Sequence, residues 1–354
     1  MAGLSRGQRD LDAIGAGFVR WYQRHRPEVS DVGLSPFRTN PSSGFSSETL
    51  LFEVSYLEGK RRTTEASVLR LPPAGGGLFP SYDLAQQAAT QNLLDAAGVP
   101  TAAPAIHEAD ESWIGTDFLF MPQVRGRIPS DFYPFKGWLK DADADEQRAC
   151  YESYVDALLA LHHVEVDDAV VDLLARPTGI GVQAELAWWA GYLAWATEDE
   201  PDPQLVDAFE WARATAPQSD AALITWGDAR FANAVFDDRG RVRCLLDWEQ
   251  AALGPAELDI GWWFATRRPA AEALGLPIDQ ELPGFLDRTD TVRRLEAGLG
   301  RPLDELEWYE AFASVRMGTC IVATRQLLRR VGTIDHFIFH ATPLPQWTID
   351  RMHG

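Results

Sequence analysis

Asp228 and Asn233 stand in an Asp-x-x-x-x-Asn spacing within "ITWGDARFANAVF", with Arg230 between them and Asp247 further on in "LLDWE". Aspartate and asparagine are ordinary turn formers, so the spacing alone describes a turn. The flanking residues say more. "NAVF" and "VRCLLDW" are strand-like, and "DDRG" supplies a turn between them. An antiparallel return brings the end of the second strand back beside the start of the first, so Asp228, Asn233 and Asp247 are expected to converge. Two carboxylates and a carboxamide are hard oxygen donors that suit Mg²⁺ better than zinc, with water and substrate phosphates filling the remaining positions. Such a site points towards phosphoryl transfer. One aspartate accepts the proton of the attacking hydroxyl, the other aspartate and the asparagine hold the metal, and a cation offsets the charge on the transferring group. Arg230 is placed to be that cation.

Competing motifs are weaker. Gly75 to Gly77 form a "GGG" run without a following Lys-Ser or Lys-Thr, which describes a link between elements and not a phosphate loop. His336 and His340 have the spacing of two metal ligands on a helix, but "HFIFH" lacks the glutamate of the zinc-protease pattern. His162 and His163 follow an apolar helix face and are expected to cap or pack it. There is no Gly-x-Ser-x-Gly nucleophile elbow. The tryptophan pairs Trp188-Trp189 and Trp262-Trp263 fit a helical core better than an acceptor pocket that takes cations.

The elements that must position these residues divide the chain. Leu11, Ile14, Phe18, Trp21 and Tyr22 have helical spacing, giving an amphipathic helix over about residues 7 to 25, ended before Pro27. Two strand-like runs then flank a turn at Glu58-Gly59 as a hairpin. A loose segment leads to a helix near Leu84 to Ala97, and "FLFMPQV" is a buried strand. From about residue 144 long helices dominate, interrupted by "AALITW", "NAVF" and "VRCLLDW". The expected fold is α+β: a small β-rich lobe over residues 1–123, then a larger mainly helical lobe over 124–354 with an embedded β-hairpin.

Length and composition agree with two lobes. The chain has 354 residues, about twice the usual domain size. Hydrophobic residues at 46% and charged residues at 24% are those of a folded protein. Thirty-two Lys plus Arg against 52 Asp plus Glu give a net charge of −20, which repels nucleic acid and anionic membranes. The expected partner is a neutral or cationic small molecule that carries a hydroxyl. Cys150, Cys244 and Cys320 form no close pair, which suggests neither a disulfide framework nor a zinc site. With no signal-like start and no membrane-length apolar run, a cytoplasmic protein is expected.

"WGDARFAN" followed by "LLDWEQAALGPAELDIGW" resembles the catalytic and metal loops of the aminoglycoside phosphotransferase-like family, which has a protein-kinase-like fold. The resemblance extends through "GFSSETLLFEV", "VLRLPP", "FLFMPQVRGR" and "LLALHHV", and is closest to the branch associated with acyl-CoA dehydrogenases. It implies a phosphotransferase using ATP, with GTP as the other candidate, and Mg²⁺. Asp228 is implied as the base, Asn233 and Asp247 as metal ligands, and Asp259 as a brace for the catalytic loop. It also implies that Ser43, Gly44, Ser46 and Ser47, within "SSGFSSE", cover the phosphates. Arg70 would take the place of the strand lysine that contacts them. The backbone from Met121 to Val124 would receive adenine, with Val124 the better donor because Pro122 has no N–H.

This chain departs from the family pattern at several positions. Trp226 replaces the usual histidine before Gly-Asp, Arg70 replaces lysine, and Gln87 stands where a helix glutamate usually pairs with the strand cation. Gly44 is the single glycine of the phosphate loop. These departures motivate the alternative of a kinase-like pseudoenzyme that binds nucleotide or metabolite without transfer.

Overall fold

The computed structural model describes residues 9–39, 47–197, 202–219, 221–268, 271, 281–330, 332 and 344–353. Ser43, Gly44 and Ser46 of the expected phosphate loop, and the His336 and His340 pair, lie outside them.

Helix α1 (Leu11–His25) starts at Asp10, whose side chain accepts from the Ala13 N–H at 2.9 Å. Ile14, Phe18, Trp21 and Tyr22 fall on one face and are buried. Leu11, the first residue of the helix, was expected on that face but is 39% exposed.

The buried face of α1 packs on an antiparallel sheet. Its strands are β1 (Val29–Leu34), β2 (Arg38–Thr39), β3 (Glu48–Glu58), β4 (Arg61–Leu71), β5 (Ile106–Glu108) and β6 (Phe118–Pro122), in the order β1-β3-β4-β6-β5 with β2 against β3. The β3–β4 hairpin is in register from Glu48↔Leu71 to Glu58↔Arg61 and turns at Gly59, where φ is +60°. Leu50, Phe52, Val54 and Tyr56 alternate inward along β3, as a strand with one covered face requires. β4 is central, so Val68 to Leu71, Arg70 included, are all buried. Helix α2 (Leu84–Ala96) follows, capped by Asp83, whose carboxylate accepts from Gln86 N at 2.8 Å.

The helical region holds α3 (Trp138–Asp141), α4 (Ala144–His162), α5 (Asp168–Leu174), α6 (Gly181–Ala196) and α7 (Pro203–Ala214). Short strands β7 (Leu223–Thr225), β8 (Ala234–Phe236), β9 (Val242–Leu245) and β10 (Ala252–Gly254) interrupt the helices. Then come α8 (Glu257–Thr266), α9 (Arg288–Leu299), α10 (Leu306–Arg330) and α11 (Gln346–His353). β8 and β9 form the expected hairpin, with Ala234 opposite Leu245. β7 stays out of that hairpin and pairs with β10 through Thr225↔Ala252, an association between segments far apart in sequence. Tyr154, Phe231, Phe236, Trp263 and Phe285 form an aromatic core beneath these strands, with Tyr154 stacked on Phe231 at 4.1 Å between ring centres.

Candidate active site

The loop between β7 and β8 begins with Trp226 and Gly227, whose backbone N–H groups donate to the two carboxylate oxygens of Asp259 at 2.7 and 2.8 Å. Asp259 is fully buried in the first turn of α8 and also accepts from His162 Nε2 at 3.0 Å. Three donors replace the water that this carboxylate has lost. Asp259 is therefore a loop brace and not the helix N-cap, which is Ala256. His162 does not merely cap its helix; it ties α4 to that brace, while His163 bonds back to Leu159 O.

Gly227 adopts φ +83°, and a Cβ there would lie 2.3 Å from the carbonyl oxygen of Gln250. Only glycine fits both the left-handed turn and that approach. Its own carbonyl accepts from Arg316 at 2.7 Å. With both ends of Gly227 tied, the next residue is placed firmly.

That residue is Asp228, buried to 8% exposure. Its Oδ2 accepts from Asn233 Nδ2 at 2.7 Å and from Arg230 Nε at 3.1 Å, and its Oδ1 accepts from Trp262 Nε1 at 2.7 Å. Asn233 Nδ2 also donates to the Asp228 carbonyl at 3.1 Å, and the Asn233 backbone N–H donates to Arg230 O at 2.9 Å to close the 3₁₀ turn over Phe231–Asn233. The Asn233 carbonyl accepts from Leu246 N at 2.8 Å, which continues the β8–β9 ladder and sets Asp247 at the end of the returning strand. The structure thus brings Asp228, Arg230 and Asn233 into direct contact and places Asp247 next in line.

Asp247 has φ +59°, an unusual conformation for a residue with a side chain, and its carboxylate is 38% exposed. Arg70 reaches it from β4, donating at 2.8 Å, and lies 3.4 Å from the Glu249 carboxylate. Arg70 also donates to Ser47 Oγ from Nε at 3.1 Å and from a terminal nitrogen at 2.7 Å. Burial works against the Arg70 charge, but Asp247 and Glu249 outweigh it and hold the pKa above the ordinary value. Gln87 is buried with its Oε1 unpartnered, so the charge opposite the strand cation comes from the β9–β10 segment. Ser47 is turned onto the guanidinium.

Arg230 is half-buried and divides its guanidinium between Asp228 and Asp131. Burial lowers its pKa, and the two aspartates more than reverse this. The backbone expected to receive adenine lies at the end of β6, where Met121 pairs opposite Val68. Gln123 spends its N–H on Ala66 O at 2.8 Å, so after Pro122 the next backbone donor is Val124.

Asn233 and Asp247 present oxygens of the kind that Mg²⁺ takes. The nitrogen end of the Asn233 carboxamide is used by Asp228, which leaves its oxygen, together with the Asp247 carboxylate, as the hard donors that Mg²⁺ takes from a protein. Among the described residues no group of three or more His, Cys, Asp and Glu could hold a metal by itself. A site of two protein oxygens completed by water and phosphates does not need one.

Residues 41–290 match the profile of the phosphotransferase enzyme family, APH. The chain belongs to that family. Among curated proteins, this APH chain is similar to acyl-CoA dehydrogenase family member 11 of Pongo abelii, 28% identical over 322 residues that make up 84% of this chain and 39% of that protein. It is likewise similar to the Mus musculus protein of the same name, at 27% over 263 residues, 68% of this chain and 33% of the relative. The chain therefore spans well under half the length of these relatives. A solved putative aminoglycoside phosphotransferase from Ralstonia eutropha JMP134 superposes with a TM-score of 0.66 at 21% identity, covering 94% of each chain. Plasmodium vivax ethanolamine kinase gives 0.55 at 9%, over 90% of this chain and 81% of that one. The ternary complex of APH(2'')-IIa with streptomycin and ATP gives 0.50 at 12%, over 94% and 95%. At these identities the likeness is one of fold, and the fold is kinase-like.

Arg316 carried no motif that marked it in the sequence, and Trp262, at the end of "ELDIGW", was marked only as one of a tryptophan pair. Arg316 is fully buried on α10 between the Trp189 and Trp262 rings, its Cζ 4.8 and 4.5 Å from the ring centres. Burial lowers its pKa, and Glu185 and Asp259 offset this in part. The tryptophan pairs do accept a cation, but an internal one. Among the described residues no helix is long and apolar enough to cross a membrane.

Proposed function

We propose that the protein transfers the γ-phosphoryl group of ATP to a hydroxyl of a small molecule, with Mg²⁺, using residues 1–123 as the nucleotide lobe and 124–354 as the catalytic and acceptor lobe. The observation that carries this reading is the joint placement of Asp228, Arg230, Asn233 and Asp247 by one loop and one hairpin. Asp228 orients the acceptor hydroxyl and takes its proton. Arg230 stands beside Asp228 and stabilises charge on the transferring group once it turns from Asp131. Asn233 and Asp247 would hold Mg²⁺, which supplies charge neutralisation at the β- and γ-phosphates. Arg70 and the Val124 N–H serve the phosphates and the adenine edge.

Asp228→Asn keeps the side-chain size but cannot take a proton, and its NH2 must face one of the donors that now meet the carboxylate. Turnover is expected to vanish while the protein stays folded at a somewhat lower melting temperature. ATP-dependent phosphorylation retained in that variant would sink the assignment of the base.

Family membership and the kinase neighbours support a small-molecule phosphotransferase and do not choose the acceptor. The likeness to acyl-CoA dehydrogenase family proteins favours a hydroxylated acyl compound, and the net charge of −20 favours a cationic one such as an amino alcohol or aminoglycoside. An ATP-consumption screen across hydroxyacyl thioesters, amino alcohols, aminoglycosides and sugars separates these classes.

The Arg70 clasp on Asp247 gives the pseudoenzyme reading its one structural motive, because that contact must open before a metal can take the carboxylate. A thermal-shift titration with ATP distinguishes the two. A rise in melting temperature that requires Mg²⁺ supports the enzyme, and no such rise supports the pseudoenzyme.

A further inference from the structure

The acceptor end of the site depends on how Asp228 is held, and the three donors on its carboxylate differ in kind. Asn233 donates to Oδ2, and Arg230 Nε lies 3.1 Å from Oδ2 and 3.0 Å from Oδ1; both have other work, one towards the metal and the other towards the transferring group. On Oδ1, the indole N–H of Trp262 donates at 2.7 Å, from a side chain only 5% exposed. An indole is a neutral donor with no acceptor, so it fixes the carboxylate without competing for a proton or adding a charge.

Trp262 is itself firmly placed. It lies on α8, the helix that carries Asp259, so one rigid element holds both the loop backbone and the Asp228 side chain. The neighbouring Gly261 lets α8 approach α10, since a Cβ there would lie 2.7 Å from the Tyr309 carbonyl carbon. On α10, the Arg316 guanidinium covers the Trp262 ring at 4.5 Å and donates to Gly227 O at 2.7 Å. The indole is therefore backed by the cation that also secures the loop.

We propose that Trp262 is a positioning residue for phosphoryl transfer: its N–H fixes the rotation of the Asp228 carboxylate so that one oxygen faces the acceptor hydroxyl. This rests on the reading of Asp228 as the base.

The test compares Trp262→Phe, which keeps an aromatic ring under Arg316 but removes the donor, with Trp262→His, which retains a ring N–H. Steady-state ADP release from ATP and Mg²⁺ is measured with the acceptor found by screening, or with water in its place, alongside the melting temperature. Trp262→Phe is expected to fold and to lose about 10- to 100-fold in kcat with an unchanged KM for ATP, the cost of a misplaced catalytic group. Trp262→His is expected to recover part of that loss. Wild-type kcat in Trp262→Phe overturns the proposal, as does an equal loss in both variants or a failure of Trp262→Phe to fold, since either would show that ring volume is what matters. Asp228→Asn, assayed in parallel, tells the two failures apart: if it remains active, the reading of the base fails, and if it is dead while Trp262→Phe is unaffected, only the role of Trp262 fails.

Discussion

The guanidinium of Arg70, on the central strand of the sheet, donates to the Asp247 carboxylate at 2.8 Å across 177 residues of sequence. One contact thus joins the sheet lobe to the hairpin of the helical region, with Ser47 and Glu249 completing the surroundings of the cation.

The Arg70 fork cannot be replaced by a point charge. Arg70→Lys keeps the cation but cannot reach Ser47 and Asp247 with separate parallel donors, so the Kd for Mg²⁺-ATP is expected to rise about tenfold. Arg70→Met leaves two carboxylates without their cation and is expected to cost about 3 kcal/mol, the low end for breaking a buried pair because Asp247 stays in contact with solvent. Calorimetric titration with a non-hydrolysable ATP analogue and urea unfolding measure the two effects. Unchanged nucleotide affinity in both variants would remove Arg70 from the phosphate site.

Asp259 should matter more for stability than any surface carboxylate. Asp259→Ala strands the N–H groups of Trp226 and Gly227 and the His162 ring nitrogen in a dry interior, and is expected to cost about 3 kcal/mol or more. Asp259→Asn keeps the size but offers one acceptor oxygen in place of two, so it should fall between wild type and alanine in urea midpoint. Equal midpoints for all three proteins would contradict the brace.

Gly227→Ala meets the Gln250 carbonyl at an impossible distance and must also hold a left-handed backbone. The expected cost is about 2 to 4 kcal/mol, combining strain and overpacking. Because the loop can relieve the clash only by moving Asp228, turnover should fall further than stability predicts. ADP release compared with the folded fraction from circular dichroism checks this.

Burial pushes the thiols of Cys150, Cys244 and Cys320 up to about 12 from an ordinary 9.0. The folded state therefore disfavours the thiolate. The stability this contributes is full below pH 9 and is lost as pH rises from 9 towards 12, where the unfolded chain ionises first. The urea midpoint should fall between pH 8.5 and 10.5, and at pH 8 Ellman's reagent should leave the buried Cys150 and Cys244 almost untouched in the native protein while titrating three thiols in urea. Rapid native labelling of Cys150 or Cys244 would show that its site opens.

Much of the molecule is local and therefore legible in its sequence. The apolar spacing of Ile14, Phe18, Trp21 and Tyr22, the turn at Gly59, and the two strands flanking "DDRG" each reflect a period of 3.6 or 2 in neighbouring residues. The convergence at Asp228 followed from the same kind of pattern, since a hairpin fixes its own geometry. Leu11 shows the limit even there: a period says which residues share a face, but not how much of that face is covered.

What no local pattern carried was the pairing of distant charges and donors. The sequence showed that Gln87 cannot supply the charge partner of Arg70, but not that Asp247 and Glu249 do, because β4 and the β9–β10 segment come together only when the sheet lobe docks. The β7–β10 pairing, His162 on Asp259, and Arg316 between Trp189 and Trp262 have the same origin. The sequence alone determined which residue types could perform phosphoryl transfer and which short elements carry them. Only the tertiary structure decided which buried polar groups satisfy one another, because each such choice depends on partners brought together by packing of the whole chain.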